Sequence, residues 1–131
     1  EDYLPELEGI SVKINGDDKQ LSNLDTGYSE QPFSKKDQLE DVYAGYFHGD
    51  SARIEIYNEN GEGGLLIIGD SFTNCMERFF APNYKYICVL DPRRYKGDID
   101  EFIANKEIDD VAFICCFRTM VNSQALKKIA G

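Results

Sequence analysis

The chain has 131 residues, of which 24 are acidic and 14 are basic, so its formal net charge is −10. This charge argues against binding to the DNA or RNA backbone and against docking on anionic lipid, since both require clustered Lys and Arg side chains. Hydrophobic residues make up 42% and aromatics 12% of the chain, which is enough for a core and excludes global disorder. No apolar run approaches the ~20 residues that a membrane span needs.

The chain is expected to form one domain, residues 1–131, whose character changes near residue 62. Because it starts at Glu1 rather than Met and shows no signal peptide, we expect a mature, trimmed or excised piece. Residues 1–62 are polar and irregular, with β-like stretches at Ile10–Ile14 and Ser51–Tyr57. In the second stretch the odd-numbered side chains are polar or amphipathic, which predicts a strand with one wet face: Arg53, Glu55 and Tyr57.

Turn-forming residues indicate where loops and turns lie in residues 1–62. Gly16–Ser34 is predicted to be a loop, and Lys35–Asp41 is too short and charged for a confident helix assignment. The Asn60-Gly61 step favours a tight, hairpin-type reversal.

Residues 63–131 are predicted to alternate between strands and helices. The predicted strands are Leu65–Ile68, Tyr84–Leu90 and Val111–Phe117. The predicted helices are Ser71–Phe80, Asp98–Asn105 and Asn122–Ala130, the last one capped by Asn122 or Ser123. This order predicts an α/β fold with a parallel, three-layer, flavodoxin-like sheet, preceded by the irregular β-containing segment.

Gly69-Asp70-Ser71-Phe72 directly follows the first parallel strand, at the edge of the sheet where ligands bind in α/β folds. Gly69 permits a tight turn, and Ser71 is then placed to act as a nucleophile. The N–H groups around Ser71 and Phe72 are candidate oxyanion donors, and Asn74 is expected to contribute polar contacts. In a simpler interpretation, Asp70 or Ser71 only caps the following helix.

Leu66–Phe72 resembles the first block of the SGNH (GDSL-type) hydrolases, in which that serine is the nucleophile. Further stretches resemble the C-terminal half of the DHHW family, which is related to the alginate O-acetyltransferase-like SGNH proteins: Asp41–Gly45, Val89–Tyr95, and Gly97–Ile99 running into Ile108–Val111. The resemblance covers roughly residues 39–118 and implies that the chain is the C-terminal part of a larger SGNH-like protein. It implies a serine esterase or acetyltransferase of the bacterial cell envelope, often membrane-anchored, acting on acyl esters of carbohydrate.

The chain also departs from these families. Their Asp and His partners come from a DxHW-like motif upstream of the serine, or from a DxxH motif near the C-terminus in ordinary GDSL hydrolases. This chain has neither motif, no Trp and no His after Ser71, and Cys115 stands where a Tyr is expected. The resemblance therefore implies that this chain alone is catalytically incomplete, since an unassisted serine hydroxyl is a poor nucleophile. The alternative is a non-catalytic glycan- or protein-binding module with a degenerate SGNH fold.

A few other polar residues are candidates for the same site. His48, with Asp50 nearby, is a possible base for Ser71, although a lone His in a Gly-rich turn is usually a loop residue. Arg93 and Arg118 each follow a predicted strand and are candidates to bind a substrate carboxylate or sugar hydroxyls; surface pairing with Asp is the simpler alternative.

Metal and cofactor sites are not predicted. The cysteines form no CxxC pair, the acidic residues lack the spacing of a calcium cage, and no Gly-rich phosphate loop follows the first parallel strand. We expect four buried or half-buried free thiols, with a Cys88–Cys115 bridge left open: Cys75, Cys88, Cys115 and Cys116.

Overall fold

The computed structural model describes residues 9–20 and 50–129, and six strands of these residues form one mixed sheet. The strands are β1 (Ile10–Ile14), β2 (Asp17–Lys19), β3 (Arg53–Asn58), β4 (Gly64–Gly69), β5 (Tyr86–Leu90) and β6 (Asp110–Ile114). Their order is β2-β1-β3-β5-β4-β6. Strands β5, β4 and β6 are parallel, whereas β3 is antiparallel to β5 and to β1. The parallel unit is present as predicted, but β1–β3 extend it, so the sheet is mixed rather than purely parallel.

The helices are short. A 3-10 turn (Ser71–Thr73) is followed by α1 (Glu77–Phe80), α2 (Ile99–Ala104), α3 (Phe117–Asn122) and α4 (Gln124–Ile129). Helix α2 was predicted, and its cap is Asp98, whose carboxylate accepts the Glu101 N–H at 3.0 Å. The predicted helix over Ser71–Phe80 is wrong as one element, because it divides into the 3-10 turn and α1. At the C-terminal end, the Ser123 hydroxyl accepts the Leu126 N–H at 3.3 Å. Ser123 rather than Asn122 therefore precedes and caps α4.

Strand β4 lies between β5 and β6 and is buried along its whole length. Leu65 and Ile67 pack in a cluster that includes Ala81, and Phe80 packs against it. Leu66 and Ile68 face the opposite side, in a cluster with residues of α2 and α4. The continuous apolar run of β4 follows from burial on both faces, as predicted.

The tight hairpin of the sheet is at Asn15-Gly16, not at Asn60-Gly61. Asn15 has φ 51° and Gly16 has φ 95°, which are the left-handed values that a short loop between antiparallel β1 and β2 requires. Asn60-Gly61 does form a turn, but the strands it connects are not neighbours, since β5 lies between β3 and β4. The predicted reversal is present, and the hairpin is not.

The polar face of β3 is only partly wet: Arg53 and Tyr57 are half-buried, and Glu55 between them is buried, contrary to the prediction. Glu55 is only 5% exposed, and its Oε1 accepts the hydroxyl protons of Tyr86 at 2.8 Å and Tyr57 at 3.3 Å. Lys106 also approaches this oxygen, at 3.8 Å. Side chains from β5 and from the segment after α2 therefore cover a face that alternation alone predicts to be solvated.

Strand β6 is shorter than predicted and lies at an edge of the sheet. It ends at Ile114, because the chain enters α3 at Phe117. Its Val111 and Phe113 side chains are 45% and 51% exposed, although the apolar sequence predicted burial. No helix in the described part of the chain is long and apolar enough to cross a membrane.

All four cysteines are free thiols, so a Cys88–Cys115 bridge does not form. Cys88 is buried and Cys115 and Cys116 are half-buried, as predicted. Cys75 is exposed, contrary to the prediction, because it lies in the turn between the 3-10 segment and α1.

Candidate active site at the carboxyl edge of the sheet

The chain turns sharply at Gly69, where β4 ends. A Cβ atom at this position would clash with Thr73 Cγ2 and would lie 2.7 Å from the carbonyl oxygen of Ile114. Only glycine fits here without displacing its neighbours. Since β5 and β6 lie on opposite sides of β4, the corner stands at the point where the strand order reverses, the usual ligand position in α/β sheets.

Asp70 is buried at 3% exposure and joins the ends of β4 and β6. Its Oδ1 accepts the Phe72 N–H at 3.1 Å, which caps the 3-10 turn, and its Oδ2 accepts the Cys116 N–H at 2.9 Å. Burial by itself would raise the pKa of Asp70, but hydrogen bonds from the Thr119 side chain and from the Cys116 and Phe72 N–H groups outweigh it and hold the pKa below its ordinary value. Asp70 is therefore an ionised structural anchor.

Because the Asp70 carboxylate caps the 3-10 turn, the Ser71 hydroxyl is not needed as a cap. Ser71 is half-buried, and no hydrogen bond within the described residues uses its hydroxyl or its backbone N–H. The Phe72 N–H, predicted as an oxyanion donor, is instead committed to the Asp70 carboxylate, and the Phe72 side chain is 61% exposed. The Ser71 N–H is the donor that this corner leaves open.

Asn74 belongs to a polar network that joins the ends of β4 and β5. Its Nδ2 donates a hydrogen bond to Asp50 Oδ1 at 3.0 Å. This N–H of Asn74, which was predicted to contact a ligand, is therefore already bonded to Asp50. Asp50 Oδ2 lies 3.3 Å from Arg93 Nη2, and Arg93 is chelated by Asp91 through contacts of 2.6–3.1 Å. The hydrogen bonds to Asp91 raise the pKa of Arg93 further above its ordinary value. Arg93 is thus fixed by carboxylates of this chain, as in the simpler of its two predicted roles.

The remaining predicted site residues lie in different surroundings. His48 lies outside the described residues, as do Asp41–Gly45. Arg118 is exposed at the start of α3 and forms no ion pair with any described residue. Burial, followed by the charge of Asp70, raises the pKa of the Cys115 thiol, which disfavours a thiolate at this position. Within the described ranges no group of three His, Cys, Asp or Glu residues is placed to hold a metal ion.

Sequence reasoning missed two contributors to the site. Asp50 was considered only as a neighbour of His48, and the Cys116 N–H was not considered at all. Asp50 could have been found from the antiparallel pairing of β3 with β5, which brings the start of β3 beside the end of β5. The Cys116 contact depends on how β6 leaves the sheet, and no sequence pattern signals it.

No protein-family model matches the chain, and no curated protein sequence matches it either. Among solved structures, Bacillus cereus PatB1 carrying a sulfonyl adduct is similar, with a TM-score of 0.63 and 26% identity over 93% of this chain and 40% of that one. A second PatB1 structure has a TM-score of 0.58 and 28% identity, over 84% of this chain and 35% of that one. A DHHW family protein from Eubacterium siraeum has a TM-score of 0.63 and 22% identity, over 92% of this chain and 39% of that one.

The chain spans no more than about 40% of the length of these neighbours. The DHHW protein shows the shared fold, and PatB1 adds sequence identity above one quarter. The chain therefore shares its fold with a DHHW family protein, and membership of that family stays a prediction from the sequence motifs.

Proposed function

We propose that this chain carries the nucleophile of an SGNH-like serine esterase or carbohydrate O-acetyltransferase of the bacterial cell envelope. In the proposed reaction Ser71 Oγ attacks the ester carbonyl, a base accepts the hydroxyl proton, and the Ser71 N–H stabilises the oxyanion. The alcohol leaves with a proton, and the acyl group passes from Ser71 to water or to a sugar hydroxyl.

The observation that carries this proposal is that Asp70, and not Ser71, caps the turn after β4. The buried Asp70 carboxylate satisfies the N–H groups of the turn, so the Ser71 hydroxyl is not needed as a cap. PatB1 has been solved with a sulfonyl adduct, and such adducts form on nucleophilic side chains. This similarity supports the presence of a nucleophilic side chain in the shared fold.

We further propose that the base lies on polypeptide other than residues 1–131. Five large apolar side chains of β6 and α3 are 45–80% exposed: Val111, Phe113, Phe117, Met120 and Val121. No strand in the described part of the chain pairs with the outer edge of β6. Large exposed apolar side chains on two consecutive elements favour a contact with further protein. Since β6 pairs directly with β4, a segment packed there would lie one strand away from the end of β4.

Labelling by a fluorophosphonate tests both parts of the proposal. The 131-residue chain alone should react slowly and should not hydrolyse aryl acetates. Produced together with the polypeptide encoded on its N-terminal side, it should gain one phosphonyl group as read by intact mass. Ser71→Ala should abolish this labelling, whereas Ser11→Ala, which removes an exposed hydroxyl on β1, should not.

Two outcomes would contradict the proposal. Ser71-dependent hydrolysis by the chain alone would place the base within it, and His48→Ala would then identify that base. Absence of labelling in both preparations would exclude the catalytic role and favour the alternative, a non-catalytic glycan- or protein-binding module with the same fold.

A further inference from the structure

A cleft of about 970 Å³ lies at the edge of the sheet opposite the Ser71 corner. Its lining comes from the start of β1, the end of β3 and the residues just before β4, β5 and β6. The six residues of β4 run between the two edges, and at ~3.3 Å per residue they separate the cleft from the corner by about 20 Å. The cleft has the volume of a ligand site and is distinct from the candidate nucleophile.

Two tyrosines form an aromatic surface in this cleft. Tyr57 and Tyr86 are paired across β3 and β5, with 5.2 Å between ring centroids and 49° between ring planes. Their hydroxyls donate to Oε1 of the buried Glu55, at 3.3 Å and 2.8 Å respectively. The Lys106 ammonium lies 5.4 Å from the centroid of the Tyr86 ring. The two half-buried rings are thus held in place before a ligand arrives, which reduces the entropy lost on binding.

The polar side chains around these rings are of mixed kinds. Lys106 is paired with Glu55 at 3.8 Å, and the Asp109 carboxylate accepts the Gly64 N–H at 2.8 Å. Five exposed side chains of the lining form no hydrogen bond or ion pair with any described residue: Ser11, Glu59, Lys85, Asn105 and Glu107. With two carboxylates and one ammonium among these five, the lining does not favour an anion. A neutral ligand that both donates and accepts hydrogen bonds can use all of them.

We propose that this cleft binds a neutral glycan, whose sugar rings stack on Tyr57 and Tyr86 and whose hydroxyls bond to the polar side chains around them. The C–H face of a sugar supplies apolar contact with an aromatic ring. Its hydroxyls donate to carboxylates and accept from ammonium and amide groups. Because this binding needs no catalytic step and lies away from Ser71, it goes beyond the proposed function and does not depend on it.

A heteronuclear NMR titration of the 131-residue chain with cellotetraose, and separately with chitotetraose, tests the proposal with two neutral probes. The backbone amide signals of Ser11, Tyr57 and Lys85 should shift in a saturable manner. The signal of Phe72, beside Ser71, should not shift. Tyr57→Ala should weaken binding about tenfold because it removes part of the stacking surface, whereas Tyr57→Phe keeps the ring and should retain most of the affinity.

Two further variants separate binding from folding and from position. Glu59→Ala combined with Lys85→Ala leaves the core intact, since both side chains are exposed, and should weaken binding about fivefold. Tyr95→Ala is the matched control. It removes a half-buried ring from the loop that follows β5, at the opposite edge of the sheet, and should leave binding unchanged.

The proposal is overturned if neither tetrasaccharide binds at millimolar concentration, if Tyr57→Ala binds like the original chain, or if Tyr95→Ala abolishes binding. Its failure is distinguishable from that of the proposed function, because Ser71→Ala should bind both probes as the original chain does. Glycan binding by a protein that never reacts with fluorophosphonate would reject the catalytic role and keep this site. Labelling of Ser71 without glycan binding would do the reverse.

Discussion

At the scale of single residues, one buried carboxylate determines the geometry of the corner. Asp70 accepts hydrogen bonds from the backbone of its own turn and from the end of β6. A neutral hydroxyl could not satisfy two separated N–H groups in this way, since each carboxylate oxygen accepts one of them. Asp70 thus orders the corner, and the hydroxyl of the adjacent Ser71 makes no hydrogen bond within the described residues.

Asp70→Asn tests this role. An amide offers only one acceptor oxygen, so its NH₂ group would face an N–H donor, and we expect a loss of about 1–3 kcal/mol in the free energy of unfolding at neutral pH. Because folding lowers the pKa of Asp70 from 3.8, its contribution is present above that value and is lost as the pH falls through the lower, folded value. The gap between variant and original chain, measured by urea denaturation, should therefore narrow as the pH falls below 3.8. Glu59→Gln, an exposed acid, is the control and should show no such gap.

At the scale of elements, the site is assembled by strand pairing. Antiparallel β3 begins where β5 ends, so Asp50 meets Arg93 and also the Asn74 amide that follows β4. The two contacts differ in environment. Asn74 is 3% exposed, whereas the Arg93 side chain is 40% exposed. The hydrogen bond to Asn74 should therefore contribute more to stability than the ion pair.

Asp50→Ala should destabilise the protein by about 1–3 kcal/mol, because it leaves a buried amide donor without its acceptor. Asp50→Asn should cost less, since its carbonyl oxygen can still accept from Asn74. Asp18→Ala is the control: it removes an ion pair to Lys13 in which the Asp18 side chain is 85% exposed, and its effect should be close to zero. Equal losses from Asp50→Ala and Asp50→Asn would mean that the charge of Asp50, not its hydrogen bond, is what matters.

Elements with a strong local pattern were predictable, and elements that depend on distant partners were not. The apolar run of β4 and the capped helix α2 were both predicted from their own residues. The burial of Glu55 depends on Tyr86 and Lys106, which are far away in sequence. Within the site, Ser71 was predicted from its position after β4, whereas the commitment of the Phe72 N–H to Asp70 could be recognised only from the three-dimensional contacts.

At the scale of the whole molecule, exposed apolar side chains are distributed unevenly. In the described part of the chain they all follow β4 or belong to β6 and α3, while β1, β2 and β3 expose none of comparable size. Strand β6 also presents an open edge, which favours association with another chain. One end of the sheet is therefore suited to protein contact, and it is the end that adjoins Ser71.

Phe113→Lys and Phe117→Lys together test this asymmetry in the 131-residue chain. Both rings are mostly exposed, at 51% and 80%, so the free energy of unfolding should stay within about 0.5 kcal/mol of the original. Self-association, measured by light scattering after gel filtration, should decrease. The two lysines also reduce the net negative charge, which by itself would weaken the repulsion between copies and increase self-association. A decrease would therefore come from the loss of the exposed phenylalanine rings.

Two controls complete the comparison. Asn60→Lys adds a charge at an exposed polar position far from β6 and should leave self-association unchanged. Leu66→Ala, at 0% exposure, should lower the free energy of unfolding by about 2–5 kcal/mol and serves as the reference for the loss of a core side chain. If the Phe113→Lys, Phe117→Lys variant is destabilised as strongly as Leu66→Ala, these rings belong to the core of this chain and the surface is not one for further protein. If the variant stays stable but is not labelled by fluorophosphonate in a preparation with additional N-terminal polypeptide that labels the original chain, the added polypeptide completes the active site by covering β6.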